Sequence, residues 1–452
     1  MGLFVLLSCN IQGQVSRSAY FLQHLPTSNA LNSAFHPEYK YYVNLPVISS
    51  FYMGFESPVT FDQLTSEWEG GDSLYIDRDK IMDALDSKNY FSFEYYNELG
   101  RVGFGTGKHY FHASIAKVFS TKFSFEKDLV ALFLYGNADP QFFGKTMHIN
   151  ETGLNMNLYH EFALGYSYEI NDKITLGAHL KYLNGGINIL TEKADISLYT
   201  DSSPNFPLTA SSSIIVNTSS TISSFDNMID QIEGYKWFDL TGNHGFGFNF
   251  GLSANPSDKF SFSASVVDLG WIRWQDNVKN FKSVYPDVEY TFEGFDISDF
   301  LSGGSFSDSL GLTDTLTNHF QLEETQSPYT SQLNPKVYIS GTWHLRPSHE
   351  LGAMIRTDII EEAILPSLTI NYLFRYKELF TLYGNYSIIT NNYMNIGLGF
   401  SMKYGPVQVY VLNDMAWGLY KPAEARHYNF QFGVNFLFVK QKKDSFNGIK
   451  RL

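Results

Sequence analysis

The sequence predicts an all-β fold: a transmembrane antiparallel β-barrel of about 14 strands, preceded by an N-terminal segment that is either an irregular leader or a plug for the lumen. Three observations predict it. First, segments in which every second residue is large and apolar recur along the chain and close with Tyr428–Phe438. There Tyr428, Phe430, Phe432, Val434, Phe436 and Phe438 share one face, opposite Asn429, Gln431, Gly433 and Asn435. Second, aromatic residues make up 17% of the 452 and charged residues only 17%, against roughly 25% charged in average soluble domains. Third, the connections between segments alternate between short and long, as periplasmic turns and external loops do.

Taken in order, residues 1–14 read as the remnant of an export signal. Leu3–Leu7 is an apolar run without basic flanks, and the expected cut precedes Gln14. Leu6-Leu7-Ser8-Cys9 also loosely matches a lipoprotein box. Residues 15–40 lack alternation and read as a plug or leader, with Leu31, Asn32, Ala34, Phe35 and Pro37 as the plug candidates. The barrel spans 41–438, and 439–452 forms a periplasmic tail. Its strands begin with Tyr42–Glu56, in which Pro46 marks a break. Phe91–Phe104 and Tyr110–Phe125 follow, then hairpins around Asn171-Asp172 and Asn255–Asp258. Seven closely spaced strands run from Lys336–Leu345 to Tyr428–Phe438. The even-numbered connections are short, and the longest stretches (Ser57–Tyr90, Glu126–Leu158, Leu190–His244, Gln275–Pro335) are all odd-numbered. Both termini then lie in the periplasm. Within the loops, Asp77–Ser87 and Ser307–Phe320 read as short helices, and Tyr285–Thr330 is strongly acidic.

Several function classes fall away. No uninterrupted apolar run reaches the roughly 18–20 residues of a membrane helix. The net charge of −14, from 46 acidic and 32 basic residues, argues against a nucleic-acid partner. One cysteine gives neither an internal disulfide nor a thiolate metal site. His109 and His112, three apart on a strand, point to opposite faces and share no metal. No catalytic motif is present, so the reading is of a non-enzyme without cofactor or metal. The informative residues are polar groups on inward faces: His179, Lys181, Arg273, Arg356, Asp358, Asn371, Arg375 and Lys403. Asp268 and Asn413 sit on the apolar parity and face inward only if the alternation breaks there. Charges on a barrel wall avoid hydrocarbon by facing the lumen, where they staple the interior or line a solute path. Trp271, Trp274, Trp343 and Trp417 fit an interfacial girdle.

Two passages carry a resemblance. Asp268-Leu269-Gly270-Trp271-Ile272-Arg273-Trp274, and the ending from Asn395-Ile396-Gly397-Leu398-Gly399 through Gly405-Pro406 and Asn413-Asp414 to Phe432-Gly433-Val434-Asn435, resemble a family of Bacteroidota outer-membrane barrels of unestablished function. Ser18-Ala19-Tyr20-Phe21 and Leu31–Pro37 look like that family's N-terminal segment. The family is similar in layout to the long-chain fatty-acid transporters (FadL-like), which have fourteen strands and an N-terminal hatch. Those transporters often carry Asn-Pro-Ala near the hatch, where this chain has Asn32-Ser33-Ala34. The resemblance implies an outer-membrane barrel; with the strand count and the leader it points to passage of a hydrophobic or amphipathic small molecule, with lipid and solute as partners. The alternative is an accessory barrel docking a secreted or surface protein through its long acidic loops.

Overall fold

The computed structural model of the chain describes residues 17–44, 48–68, 73–204, 206–220, 240–284, 289–292, 322–360, 363–389 and 392–440. The export segment 1–14, Pro46, the Ser307–Phe320 helix, most of the acidic stretch 285–330 and the tail beyond residue 440 lie outside them.

Fourteen antiparallel staves close into a barrel. They are β1, in two halves (Tyr39–Asn44 and Ser50–Glu56), β2 (Lys88–Thr106), β3 (His109–Glu126), β4 (Gly153–Asn171), β5 (Ile174–Thr200), β6 (His244–Ser257) and β7 (Phe260–Trp274). The second half comprises β8 (Lys336–Arg346), β9 (His349–Ile360), β10 (Ala363–Tyr376), β11 (Phe380–Ile389), β12 (Asn392–Tyr404), β13 (Val407–Asn413) and β14 (His427–Lys440). The seam closes between first and last staves, with Tyr39 opposite Lys440, Tyr41 opposite Phe438 and Phe51 opposite Phe432. Closure leaves no wall strand with an unpaired edge, which hydrocarbon requires because it offers backbone groups no water.

The alternation sorts side chains between two solvents. On β14, Asn429, Gln431, Asn435 and Leu437 are buried, whereas Phe430 and Phe438 are exposed on the outside. Leu164, Phe262, Ile339 and Leu398 likewise stand more than half exposed on the outer face. Leu180, opposite Leu164 and Phe248, lies inside that apolar band. Among the described residues no helix is long and apolar enough to cross a membrane.

Several staves are far longer than the ~9–11 residues that span a bilayer. The 190–219 region, expected as loop, continues β5 to Thr200, and Leu208–Ser219 pairs back along it. Serine, threonine and charged residues such as Glu192, Lys193 and Asp195 interrupt it, so the alternation that marks a lipid-facing strand is missing. On the same side, Asp77 caps a helix over Arg78–Ala84, accepting from the Lys80 N–H. Its carboxylate also accepts from Ser66, and these bonds hold it below the usual carboxylate range.

The lipid-facing assignment makes a direct prediction. Leu180→Arg should destabilise the folded barrel by about 2–4 kcal/mol in urea unfolding from vesicles. An unchanged midpoint would place Leu180 outside the hydrocarbon.

Candidate functional site

The barrel interior is occupied by the chain's own residues 17–38. This segment satisfies its backbone locally. A helix runs over Arg17–Phe21, and a 3-10 turn, begun by Pro26, over Pro26–Ala30. Further turns join Leu25 N–H to Leu22 O (2.9 Å) and Phe35 N–H to Asn32 O (2.9 Å). The first helix takes its cap from the wall. Asp414 accepts from the N–H groups of Arg17 (2.7 Å) and Ser18 (3.1 Å), and from the Ser18 hydroxyl.

Apolar side chains of the segment meet an inward wall that is itself apolar and ring-rich. Tyr20, Phe21, Leu22, Leu25, Leu31 and Phe35 form one buried cluster with Tyr52, Tyr338, Leu373, Tyr383, Tyr410 and Leu412. Tyr20 stacks on Tyr338 at 4.9 Å between ring centroids. Leu31, Asn32, Ala34, Phe35 and Pro37 are all buried.

Polar contacts fix the seating on every side. The Asn32 amide nitrogen is shared among the Tyr20 hydroxyl (3.1 Å) and the carbonyls of Leu252 and Ala264 (3.2 Å each). Its oxygen accepts from Ala34 N–H at 3.0 Å. Gly177 and Gly251, paired across β5 and β6, leave the space that this turn fills. A Cβ on Gly177 would stand 2.0 Å from the Ser33 carbonyl, and one on Gly251 2.1 Å from Asn32 Oδ1. On other staves, Tyr42 accepts from Asn29 (3.2 Å), Arg101 donates to Asn29, and His24 bonds Ser401 (2.9 Å).

Around this segment the wall carries buried ion pairs. Asp268 joins Lys181 (2.7 Å) to Lys336 (2.8 Å), and Lys181 also reaches Glu161 (3.0 Å). Arg356 pairs with Asp358 (2.7 Å) and Arg101 with Glu98 (2.6 Å). His179 meets His112 at 2.5 Å between Nε2 atoms. Gly165 clears room for that pair.

Of the expected lumen residues, His179, Lys181, Asp268, Arg356, Asp358 and Asn371 are buried inside. Arg375 and Lys403 are half-buried near the short-turn end, 3.9 Å from Glu350 and 3.7 Å from Glu378. Arg273 is a correction, since it points outward and is exposed. The cause is one bulge in β7. Val267 and Asp268 together face Asn249, the Asp268 N–H donates to Asn249 Oδ1 (2.9 Å), and Asp268 adopts a left-handed φ of 61°. The bulge turns Asp268 inward and reverses every later residue. Trp274 is therefore also corrected: it is fully buried and donates to Ser331 at 2.8 Å, rather than joining a girdle.

Asn413 shares the side of its outward partner Leu398, and its amide donates to the Asn429 carbonyl. Its neighbour Asp414 is the residue that reaches the lumen. Sequence reasoning missed Asp414, although Gln408, Tyr410 and Leu412 set the inward parity that it continues. Arg17, Glu98, Arg101, Glu161 and Lys336 were missed as well.

A family model described as "Family of unknown function (DUF5723)" matches residues 34–414. A comparison with curated proteins returned no match. Among solved structures, the chain is similar to the toluene transporter TbuX of Ralstonia pickettii, at 10% identity and a TM-score of 0.42, covering 90% of this chain and 92% of that one. It is also similar to a Pseudomonas aeruginosa FadL homologue, at 10% identity and a TM-score of 0.41, covering 91% and 94%.

The glycine pair yields a prediction. Gly177→Val should unseat the Ser33–Ala34 turn, since overpacking of this kind amounts to about 1–3 kcal/mol. In a Cys9→Ser, Ser33→Cys background, maleimide labelling of residue 33 should rise by roughly one to two orders of magnitude while the barrel stays heat-modifiable. Unchanged labelling would mean that the turn is not held by that contact.

Proposed function

The chain belongs to DUF5723, a family of unknown function, and we propose that it acts in the bacterial outer membrane as a barrel for passage of a hydrophobic or amphipathic small molecule. In this reading the leader expected over residues 15–40 is the plug as far as residue 38, the barrel expected over 41–438 runs from Tyr39 to Lys440, and the short turns and both termini face the periplasm.

One observation carries the reading. The inward wall at the level of residues 17–38 is lined by Tyr52, Tyr338, Leu373, Tyr383, Tyr410 and Leu412, not by an unbroken polar surface. Displacing the segment uncovers a ring-lined bore bordered by hydrogen-bonding groups, which suits a solute with an apolar body. The segment is seated by side-chain hydrogen bonds and apolar contact, and forms no strand of the sheet, so it can leave without opening the wall. The inward ion pairs are matched in sign: two lysines against Glu161 and Asp268, Arg356 against Asp358. As pairs they hold the wall together and carry no net charge. The docking alternative draws on the acidic stretch 285–330, of which 285–288 and 293–321 lie outside the described residues.

A barrel lacking residues 15–38, reconstituted in liposomes, should admit a hydrophobic naphthylamine dye at least about tenfold faster than the full chain, with a smaller gain for a hydrophilic dye of equal size. Equal rates for the truncated and full chains would remove the plug.

A further inference from the structure

Three groups of interior charges close on themselves. Arg356 lies on Asp358, Arg101 on Glu98, and Lys181 and Lys336 on Glu161 and Asp268. Glu56 and Glu94 stand outside all three. They are half-buried on the adjacent staves β1 and β2, and share the inward parity of buried Tyr52 and Tyr96. Glu94 is opposite Gly54, two residues from Glu56, so the two carboxyls are diagonal neighbours on one face. Glu56 Oε1 accepts from the Tyr90 hydroxyl at 2.9 Å. Its Oε2 and the Oε2 of Glu94 are buried with no hydrogen-bond partner among the described residues. A carboxyl in so poorly solvating a place needs a counter-charge to stay ionised.

Part of that counter-charge belongs to the segment filling the lumen. Arg17 acts on Glu56, beside Lys122 and Arg426 of the wall. It is only 4% exposed, and its own Nε and Nη2 atoms have no acceptor among the described residues. On Glu94 the cations Lys336 and Arg356 act, but each already holds another carboxylate, and Asp358 and Glu56 act against it. When the segment leaves, Arg17 leaves with it. The bore then keeps Glu56 and Glu94 and loses a cation, while Asp414 gives up the N–H groups of Arg17 and Ser18. A solute that brings its own positive charge offsets this loss, and an anion aggravates it. The rings nearby favour the same sign. Tyr52 lies in the field of Glu94 and Arg17, and Arg356 already stands 5.5 Å from the centre of the Tyr338 ring. The chain's net charge of −14 likewise draws cations toward it.

We infer that Glu56 and Glu94 form a binding subsite for the ammonium head of a cationic amphiphile, whose apolar body runs along the aromatic inward wall. Arg17 is the internal cation that this head replaces. The inference rests on the passage function proposed above and narrows it to positively charged solutes.

Equilibrium binding of radiolabelled dodecylamine, protonated at neutral pH, and of dodecanol to the full chain in a non-ionic detergent tests it. The amine should bind at least about tenfold more tightly than the alcohol. Glu56→Gln and Glu94→Gln together should bring the amine down to the affinity of the alcohol, with heat-modifiable migration retained. Arg17→Gln removes the internal competitor and should tighten amine binding by about threefold or more, which loss of a merely structural arginine would not do. If the double variant does not fold, that tightening decides alone. Unchanged or weaker amine binding by Arg17→Gln would overturn the replacement of Arg17. Equal affinities for amine and alcohol, or tighter binding of dodecanoate than of either, would overturn the inference and leave the passage reading standing. Binding of neither compound would overturn the inference, and if no dye entered through the barrel lacking residues 15–38 either, both readings would fall. Displacement of the amine by equimolar methylammonium would show a site for a free small cation, and would overturn the assignment to an amphiphile.

Discussion

A peptide group facing hydrocarbon has no water to turn to, so each wall amide must find its partner in the neighbouring stave. The architecture follows from that constraint. The sheet closes on itself between β1 and β14, and side chains divide by parity between lipid and interior. Whatever fills the interior must then attach through side chains, spare carbonyl lone pairs and close van der Waals contact. Asn32 illustrates this, reaching two wall carbonyls while its own oxygen closes a turn with Ala34. The glycine pair Gly177–Gly251 is the complement, a place where two wall residues give up their side chains so that another backbone can approach.

The buried charges obey the same constraint. Removing one member of such a group strands its partners in a poorly solvating interior, typically at about 3–5 kcal/mol. The Glu161–Lys181–Asp268–Lys336 group spans several staves and is neutral as a set. It owes its geometry to a single irregular residue. Without the left-handed Asp268 the alternation of β7 would continue, and this carboxylate would face lipid.

Much of this was legible in the sequence, because parity is written residue by residue. The fourteen staves, the short turns and the inward placement of His179, Lys181, Arg356, Asp358 and Asn371 all follow from counting in twos. What escaped is what breaks the count. Arg273 and Trp274 lie beyond the bulge, where the rule changes sign; an Asp on the apolar parity pointed to a break, and Asp tolerates the left-handed region, but the residue types do not say that the residues after it change faces. The far half of β5 escaped for another reason. Outside the bilayer a strand need not have an apolar face, so Leu190–Thr200 carries no lipid signature. Asp414 continues a parity that ran visibly up to Leu412, but it lies just past the end of β13 at Asn413, where counting in twos was not carried on. Arg17 has no parity at all, since it belongs to no strand. Its surroundings are set by contacts across the bore.

The seam between β1 and β14 also orders the protein's assembly. The two staves that complete the ring stand at opposite ends of the chain, so the cylinder stays an open sheet until the last of them has been made. Residues 17–38 are tethered directly ahead of the first stave. They can be laid against the concave side of that sheet before its margins meet, with no need to thread through a finished tube. The final zippering then encloses a segment already in position.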